Sequence, residues 1–355
     1  MKFEKLCSAI KSYGKYGNCF YGTLDIFEGR AAVALFSEGE EVRFQAHVEG
    51  LPAGYSVLAP LSHLTFSRAK VSEYLAAISQ GGEPLSSEDA EWKACPERPG
   101  AILPAGIVKN FIDAVQKAAQ PTAKRHFIND LFIESKGGRA TLMSTTGKAM
   151  SFESFDAPGL PDRFCGISFF ALRMLKELLS DRKAQFCISF AERDAENEVC
   201  VYSSDGSAMF SYKGEISVPS KGEPSQTFWR FYEKGAGRQA LLNGESFQAL
   251  LACMKDMIES PLPSWAAGRE CVRLYPHDGC LCAEKLTSSA SRVVAQAFDA
   301  PEGFEGAFFD PQVLRPCIDF FRKEGKDAYV SLKSKSSGIV LHSDSSYAIA
   351  MPIVR

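Results

Sequence analysis

Residues 338–355 read GIVLHSDSSYAIAMPIVR, and this stretch ends on an apolar run that alternates like a β-strand. Its apolar positions are Tyr347, Ile349, Met351, Pro352, Ile353 and Val354. The last residues of a domain are usually polar and loosely held. An apolar strand in this place therefore predicts a segment that is packed into a sheet.

Upstream of this strand, one pattern recurs four times: an extended lead-in, a turn or capping residue, and then a helix. The helical segments are ILPAGIVKNFIDAVQKAAQ (102–120), GISFFALRMLKELLSDRKA (166–184), NGESFQALLACMKDMIES (243–260) and FFDPQVLRPCIDFFRKEGK (308–326). The side chains predicted to face inward are Ile107, Phe111, Val115, Ala118, Leu172, Leu175, Leu178, Leu179, Phe247, Leu250, Leu251, Met254, Ile258, Val313, Leu314, Cys317, Ile318 and Phe321. Pro104 suits a helix start, whereas Pro316 predicts that the last helix starts late or kinks.

Strands fill the intervals between these helices. Gly137–Gly138 and Asp278–Gly279 are predicted to be hairpin turns, and three short strands follow the last helix. The repeating unit is thus one helix with about three antiparallel strands, which indicates an α+β fold. The units open near Leu103, Ser168, Glu245 and Asp310, at spacings of 65, 77 and 65 residues, which indicates duplication. The first hundred residues hold an earlier pair of units whose second half is shortened.

Composition limits the function classes. The chain has 355 residues, 45% hydrophobic and 23% charged, with no apolar run long enough to cross a membrane. No signal peptide is evident, and the 11 cysteines form no CxxC pair, so we expect reduced thiols and a cytoplasmic protein. The net charge of −3 gives no overall attraction to nucleic acid, so any DNA contact needs local clusters of Lys and Arg.

The order and spacing of these segments resemble the bacterial sliding clamp, the beta subunit of DNA polymerase III. LPAGIVKNFIDAVQKAA, RHFINDLFIES and LMSTTGKAMSF (103–152) resemble the first half of that family's middle domain. CVRLYPHDGCLCAEKL (271–286), FFDPQVLRPCIDFF (308–321) and YAIAMPIVR (347–355) resemble its third domain and terminal signature. The resemblance covers about 103–355 and the opening half of the first hundred residues.

This resemblance implies a DNA-clamp fold: three domains form a crescent, here 1–100 (shortened), 101–222 and 223–355. Two crescents close into a homodimeric ring around duplex DNA, with helices lining the hole. Such a ring needs cations that touch phosphates without reading sequence. The DNA-facing positions implied are Lys11, Lys15, Lys109, Lys117, Lys124, Arg125, Arg173, Lys176, Arg182, Lys183, Arg322 and Lys323. The alternative is that surface helices carry such residues only for solubility. The predicted helix within 243–260 is acidic, with Glu245, Asp256 and Glu259 against Lys255.

The resemblance also implies a groove between the middle and third domains, in which DNA polymerase, the clamp loader and repair proteins insert short apolar peptides. The matching positions are Ile128, Thr145, Gly147, Lys148, Met150, Asp310, Val313, Ile349, Ala350, Met351, Pro352 and Ile353. The family's T-D-G-H-R-L segment is T-T-G-K-A-M here, so Lys148–Ala149 replaces His-Arg and Thr146 replaces Asp. Ordinary core is the alternative for the apolar members, although Pro352 favours a strand end or edge.

Two other classes remain open. The five histidines are far apart, and no phosphate-binding loop, metalloprotease motif or Ser–His–Asp order is visible. Cys271, Cys280 and Cys282 are interpreted as small core residues, so we expect no catalysis, no cofactor and no metal. The third class is a monomeric peptide-binding scaffold that has kept the groove but does not encircle DNA.

Overall fold

A computed structural model describes most of the chain. The described residues are 5–6, 8–10, 19–27, 30–37, 39–48, 55–60, 100–118, 129–181, 183–190, 197–215, 239–242, 244–259, 270–278, 280–286, 291–299, 304–321, 328–331 and 338–353. Residues 5–6 and 8–10 are helical and are called the first helix below.

Four further helices and twenty strands are described, in the alternation that the sequence predicts. The helices are α1 (Ala105–Ala118), α2 (Leu172–Leu178), α3 (Gly244–Glu259) and α4 (Pro311–Phe321). Strands of the first half are β1 (Cys19–Phe27), β2 (Arg30–Ser37), β3 (Glu40–His47), β4 (Tyr55–Pro60), β5 (Ala101–Leu103), β6 (Leu131–Lys136), β7 (Arg139–Thr145), β8 (Ala149–Asp156), β9 (Arg163–Ile167) and β10 (Phe186–Phe190). Those of the second half are β11 (Glu198–Ser203), β12 (Met209–Gly214), β13 (Gln239–Leu242), β14 (Cys271–His277), β15 (Cys280–Leu286), β16 (Ser291–Asp299), β17 (Ala307–Phe309), β18 (Ala328–Ser331), β19 (Ile339–His342) and β20 (Ser346–Ala350).

Helix α1 buries the predicted face except at its first position. Val108, Phe111, Ile112 and Val115 are buried, whereas Ile107 is 40% exposed. The predicted stripe that began at Ile107 is therefore wrong at its first position. The buried residues follow the i, i+3, i+4, i+7 rule, which places Ile107 on the flank of the first turn.

Helix α4 begins five residues before Pro316, so the expectation of a late start is wrong. Its first residue is Pro311, where a missing N–H costs nothing. Asp310 caps it: the Gln312 amide donates to Asp310 Oδ1 at 3.0 Å. The start is therefore set by this cap, and Pro316 is accommodated as a buried residue within the helix.

The inward faces of the other helices agree with the prediction wherever side chains are described. Leu172, Leu175 and Leu178 of α2 are buried, and Met174, which the prediction omitted, is buried with them. Leu251, Met254 and Ile258 of α3 are buried. All five predicted residues of α4 are buried as well. Ala118, Phe247 and Leu250 have side chains outside the described part.

The predicted turns are also present. Gly137 and Gly138 join β6 to β7 with φ of 60° and 78°, which two-residue hairpin turns require and which glycine adopts without strain. Strands β14 and β15 pair antiparallel with His277 opposite Cys280, and Asp278 in the turn has φ of 49°.

The chain divides into two compact units. The first contains Met1–Ile112, Asp130–Ala140 and Phe155–Ser217. Its main sheet runs β4-β1-β2-β3-β12-β11-β10-β5. Strand β3 pairs antiparallel with β12, with Phe44 opposite Phe210, so strands from both sides of residue 100 share one sheet. Phe44, Phe186 and Phe210 are fully buried on it.

The second unit contains Asp113–Asn129, Thr141–Ser154 and Val218–Arg355. Its strands β13, β18, β19, β20 and β8 follow one another in a sheet, and β16, β15, β14 and β17 form another. Helices α3 and α4 pack together, and α4 contacts β20. The core between them includes Leu251, Leu274, Leu314, Leu341 and Ala348.

The mixed helices and antiparallel sheets confirm the α+β class. The three domain boundaries and the shortening of the first domain stay predictions, since residues 61–99 and 216–238 lie outside the described residues. Across the described residues, no helix has the length and apolar character that crossing a membrane requires.

Candidate functional site

The C-terminal strand is held by the second unit on two sides. Strand β20 pairs antiparallel with β8, with Ile349 opposite Met150 and Ala350 opposite Ala149. Beyond it, the Met351 amide donates to the Lys148 carbonyl at 2.8 Å, and the Ile353 amide donates to the Phe308 carbonyl at 2.6 Å. Residues 351–353, called the tail below, therefore run from the start of β8 to the edge of β17.

The tail exposes apolar side chains although its backbone is bonded. Met351 is 39% exposed, and Pro352 and Ile353 are partly exposed. By contrast, Ile349 and Ala350 are buried core residues. The predicted strand thus contains both kinds of residue: core up to Ala350, and an accessible apolar strip from Met351 onward.

The turn between β7 and β8 is held by its own threonines. Thr145 Oγ1 accepts from the Gly147 amide and donates to the Ala149 carbonyl, both at 3.0 Å. Thr146 Oγ1 accepts from the Ala149 amide at 3.1 Å. Gly147 has φ of 81°, which a β-carbon would strain. Thr146 therefore supplies the hydrogen-bond acceptor that an aspartate would supply in such a turn. Lys148 is exposed beside the tail.

The start of α4 lies next to the tail through β17. The Phe308 carbonyl accepts from the Ile353 amide. Phe308 is two residues before Asp310, which caps α4. Val313 in the first turn is buried. A small cleft beside the turn is lined by Ala114, Val115, Thr145, Ala149, Pro316 and Cys317. It has a volume of about 10 Å³, so this packing is tight and the accessible surface is that of the tail.

The predicted groove residues therefore fall into three neighbouring segments of one unit. The turn contributes Thr145, Gly147, Lys148 and Met150, the strand and tail contribute residues 349–353, and the start of α4 contributes Asp310 and Val313. Six of these residues are buried and belong to the core beneath the exposed tail: Thr145, Met150, Asp310, Val313, Ile349 and Ala350. Ile128 lies outside the described residues.

Two residues that the sequence interpretation omitted lie at this site: Phe308 and Arg273. Phe308 is opposite Arg273 in the β14–β17 pairing. The Arg273 guanidinium carbon lies 4.6 Å from the ring centroid of Tyr275 and 5.7 Å from that of Phe308. The alternation of apolar and polar residues in VRLYP (272–276) predicts that Arg273 faces solvent. Its position opposite Phe308 of β17 depends on strand register, which this alternation does not specify.

The DNA-facing candidates are only partly described. Arg173 of α2 donates to Ser8 Oγ at 2.9 Å, so α2 and the first helix are neighbours in the first unit. Lys5 and Lys183 are exposed, and Lys109 and Lys176 are partly exposed. Lys5 also borders a cavity of about 290 Å³ whose lining includes Glu177 and Asp181, so this surface carries both signs. Lys117 is exposed on α1. Seven other candidates lie outside the described residues: Lys11, Lys15, Lys124, Arg125, Arg182, Arg322 and Lys323.

The helix pair of the second unit is acidic, and its cations are engaged with carboxylates. Arg315 Nη2 lies 2.8 Å from Glu259 Oε1, and Lys255 Nζ lies 3.7 Å from the same oxygen. Arg315 Nε is 3.8 Å from Asp319. These pairs reduce the positive charge that α3 and α4 can offer to a phosphate.

The thiols whose burial is described are core residues, apart from Cys187, which is partly exposed. Cys271 and Cys282 are buried and unbridged. Burial raises the pKa of Cys165 and of Cys317 to about 12, which keeps both thiols protonated and unreactive. No group of three or more His, Cys, Asp or Glu that could hold a metal ion occurs in the described part of the chain.

The comparison with solved structures gives the fold its name. The DNA polymerase III subunit beta from Pseudomonas aeruginosa matches with a TM-score of 0.61 at 13% identity, over 100% of this chain and 99% of that one. The sliding clamp from Bacillus subtilis matches with a TM-score of 0.64 at 11% identity, over 100% and 98%. The beta subunit from Streptococcus pyogenes matches with a TM-score of 0.64 at 11% identity, over 100% and 99%. No protein-family model and no curated protein sequence matches the chain.

The chain therefore has the DNA-clamp fold of bacterial DNA polymerase III beta subunits, as the sequence resemblance predicted. At 8–13% identity among the matches, the likeness establishes the fold, and function has to be argued from the site.

Proposed function

We propose that this protein is a sliding-clamp-like processivity factor for a DNA polymerase. It encircles duplex DNA as a homodimer, contributes no catalysis, and binds short apolar peptides of replication and repair proteins at the tail. Under this proposal it acts in the cytoplasm. The clamp-loading machinery opens the ring, and no cofactor is part of the function.

The observation that carries the proposal is the double attachment of the tail. Its backbone is bonded to Lys148 on one side and to Phe308 on the other, while Met351, Pro352 and Ile353 keep apolar surface exposed. An apolar strip on a rigid backbone suits a short peptide, because little ordering of the site is needed on binding. Methionine adapts to different partners, which suits a site shared by several proteins. A solved clamp from Pseudomonas aeruginosa bound to griselimycin supports the expectation that this fold carries ligand sites.

Support for DNA contact comes from the helices. Lys5, Arg173 and Lys176 lie on two neighbouring helices of the first unit. A sliding contact needs only scattered cations that touch phosphates, without base-reading groups. The acidic pair α3 and α4 indicates that the second unit contributes less to this attraction.

A monomeric scaffold that keeps the peptide site without encircling DNA is the second candidate. The net charge of −3 and the paired cations of α3 and α4 favour it, because both weaken attraction to DNA. Oligomeric state separates the two candidates. Sedimentation equilibrium should give about twice 38.8 kDa at micromolar concentration if the protein forms a ring, and a single 38.8 kDa species favours the scaffold.

The peptide site is tested by the double substitution Met351→Ala with Ile353→Ala. Both tail hydrogen bonds come from backbone amides, which alanine retains, so the fold should persist. Binding of a polymerase-derived C-terminal peptide, measured by fluorescence polarisation, should fall by at least tenfold, since each lost apolar anchor contributes about 1 kcal/mol or more. Unchanged affinity would show that the tail is not the peptide site.

A further inference from the structure

The peptide site has a second feature, a cation on the sheet surface beyond β17. Val272 and Leu274 of β14 are buried, so Arg273 and Tyr275 point to the opposite, accessible face. The Arg273 side chain is 43% exposed, and its guanidinium lies near the Tyr275 and Phe308 rings, at 4.6 and 5.7 Å. Stacking on aromatic rings restricts an arginine side chain while leaving its N–H donors at the edge available.

This arginine lies close to the tail. Arg273 is directly opposite Phe308, and the Phe308 carbonyl accepts from the Ile353 amide. Neighbouring strands are about 4.8 Å apart, so Arg273 and Ile353 are separated by about 10 Å across two such steps. A peptide of a few residues that lies along the tail can therefore reach the guanidinium.

One carboxylate of the protein lies near this guanidinium but leaves most of its N–H donors available. Glu284 is opposite Arg273 in β15, and the nearest nitrogen and oxygen are 3.9 Å apart, at the outer limit of an ion pair. A guanidinium has five N–H donors, so this contact occupies a small part of its capacity. Asp310, the acidic residue nearest in sequence to Phe308, is engaged as the cap of α4.

A second cation lies at the other end of the tail. Lys148 is exposed, and its carbonyl accepts from the Met351 amide. No ion pair to Lys148 occurs within the described residues. The tail is thus an apolar strip with a lysine at its first residue and an arginine beyond its last.

We propose that this site selects apolar peptides that carry acidic residues on one or both sides of the apolar centre, with Arg273 and Lys148 as the residues that determine the preference. This inference rests on the proposed peptide-binding function and adds the class of peptide. The physical reason is charge complementarity: a carboxylate gains a charge-assisted hydrogen bond from a preorganised guanidinium, and a glutamine at the same place gains less.

The test uses three labelled peptides with one apolar centre: EELLFE, its analogue with glutamine at the three Glu positions, and its analogue with lysine there. Affinities are measured by fluorescence polarisation at low salt on the full-length protein. The Glu peptide should bind more tightly than the Gln peptide by about four- to twenty-five-fold, since two exposed charge pairs contribute about two- to fivefold each. The Lys peptide should bind more weakly than both.

Variants identify the residues responsible. Arg273→Gln and Lys148→Gln should each reduce the preference for the Glu peptide over the Gln peptide by about two- to fivefold. Arg315→Gln is the matched control: Arg315 is an exposed cation of the same unit that is paired with Glu259, and its loss should not change the preference.

The outcomes separate this inference from the proposal beneath it. Equal binding of the Glu and Gln peptides, lost on Met351→Ala with Ile353→Ala, would overturn the acidic preference and leave the peptide site standing. A preference that survives both Arg273→Gln and Lys148→Gln would overturn their assignment. Absence of binding by all three peptides at millimolar concentration would overturn the peptide site itself.

Discussion

Asp130→Asn should make the protein more stable at neutral pH, and the gain should grow with pH. Asp130 precedes β6 in the first unit, and its Oδ1 accepts from the Phe169 amide at 2.8 Å. Burial of the carboxyl group raises its pKa to about 8; the Phe169 hydrogen bond opposes this, and the nearby Glu40 charge adds to it. Asparagine keeps the acceptor for Phe169 and removes the titration.

The sign follows from proton linkage. A folded-state pKa of about 8 lies above the ordinary value near 3.8, so folding favours the protonated acid. The stabilisation is complete below pH 4 and is lost as pH rises through 8. Between pH 5 and 7 the unfolded chain has released this proton and the folded chain still holds it. The wild-type free energy of unfolding should therefore fall by about 1.4 kcal/mol per pH unit, or about 2.7 kcal/mol over this range, relative to the variant.

The assay is urea unfolding followed by circular dichroism at pH 5, 6 and 7, with the variant measured beside the wild type. Asp205→Asn is the matched control in the same unit. Hydrogen bonds from Ser203 and Ser207 lower the pKa of Asp205 to about 2, so its charge does not change between pH 5 and 7 in either state. Asp130→Asn and wild-type curves that run parallel over this range would refute the reasoning.

Three further predictions concern the second unit. His342 is stacked between two tyrosines, and its burial lowers its pKa. Relative to His342→Gln, the wild-type free energy of unfolding should therefore fall as pH drops below about 6.5, by at most about 1.4 kcal/mol at pH 5.5. In urea titrations, a difference between wild type and variant that stays constant over this pH range would contradict it. Asp310→Ala removes the cap of α4 and should cost about 1 kcal/mol in the same assay; no loss of stability would show that the cap is dispensable. A β-carbon at Gly338 would lie 2.8 Å from the Ala350 carbonyl, so Gly338→Ala should shift β20, destabilise by about 1–3 kcal/mol and weaken peptide binding. Gly106→Ala, whose β-carbon meets nothing within 4 Å, is its control and should be neutral or stabilising.

Local patterns were sufficient to predict most helices and turns. The stripes of α2, α3 and α4 and the Gly137–Gly138 turn follow from periodicity and backbone preference, which act over a few residues. The spacing rule is wrong for Ile107 because a residue in the first helical turn can satisfy it and still lie on the flank. Pro316 alone predicts a late start of α4, whereas the cap at Asp310 sets the start.

Long-range pairing was not predictable from the residues alone. Strand β3 pairs with β12 and β20 pairs with β8, so sheets continue across the predicted domain boundaries. The candidate site depends on the second of these pairings. The resemblance supplied its positions, but the exposed tail and the proximity of Phe308 and Arg273 depend on register, which periodicity does not specify.

Topological retention on DNA tests the central claim most directly. The protein is loaded onto a nicked circular plasmid with a clamp loader, isolated by gel filtration, and then treated with a restriction enzyme that cuts the plasmid once. A ring should remain on the intact circle at a salt concentration that disrupts charge contacts, and it should leave within minutes once the DNA has free ends. Equal loss from the circle and from the cut DNA would contradict encirclement.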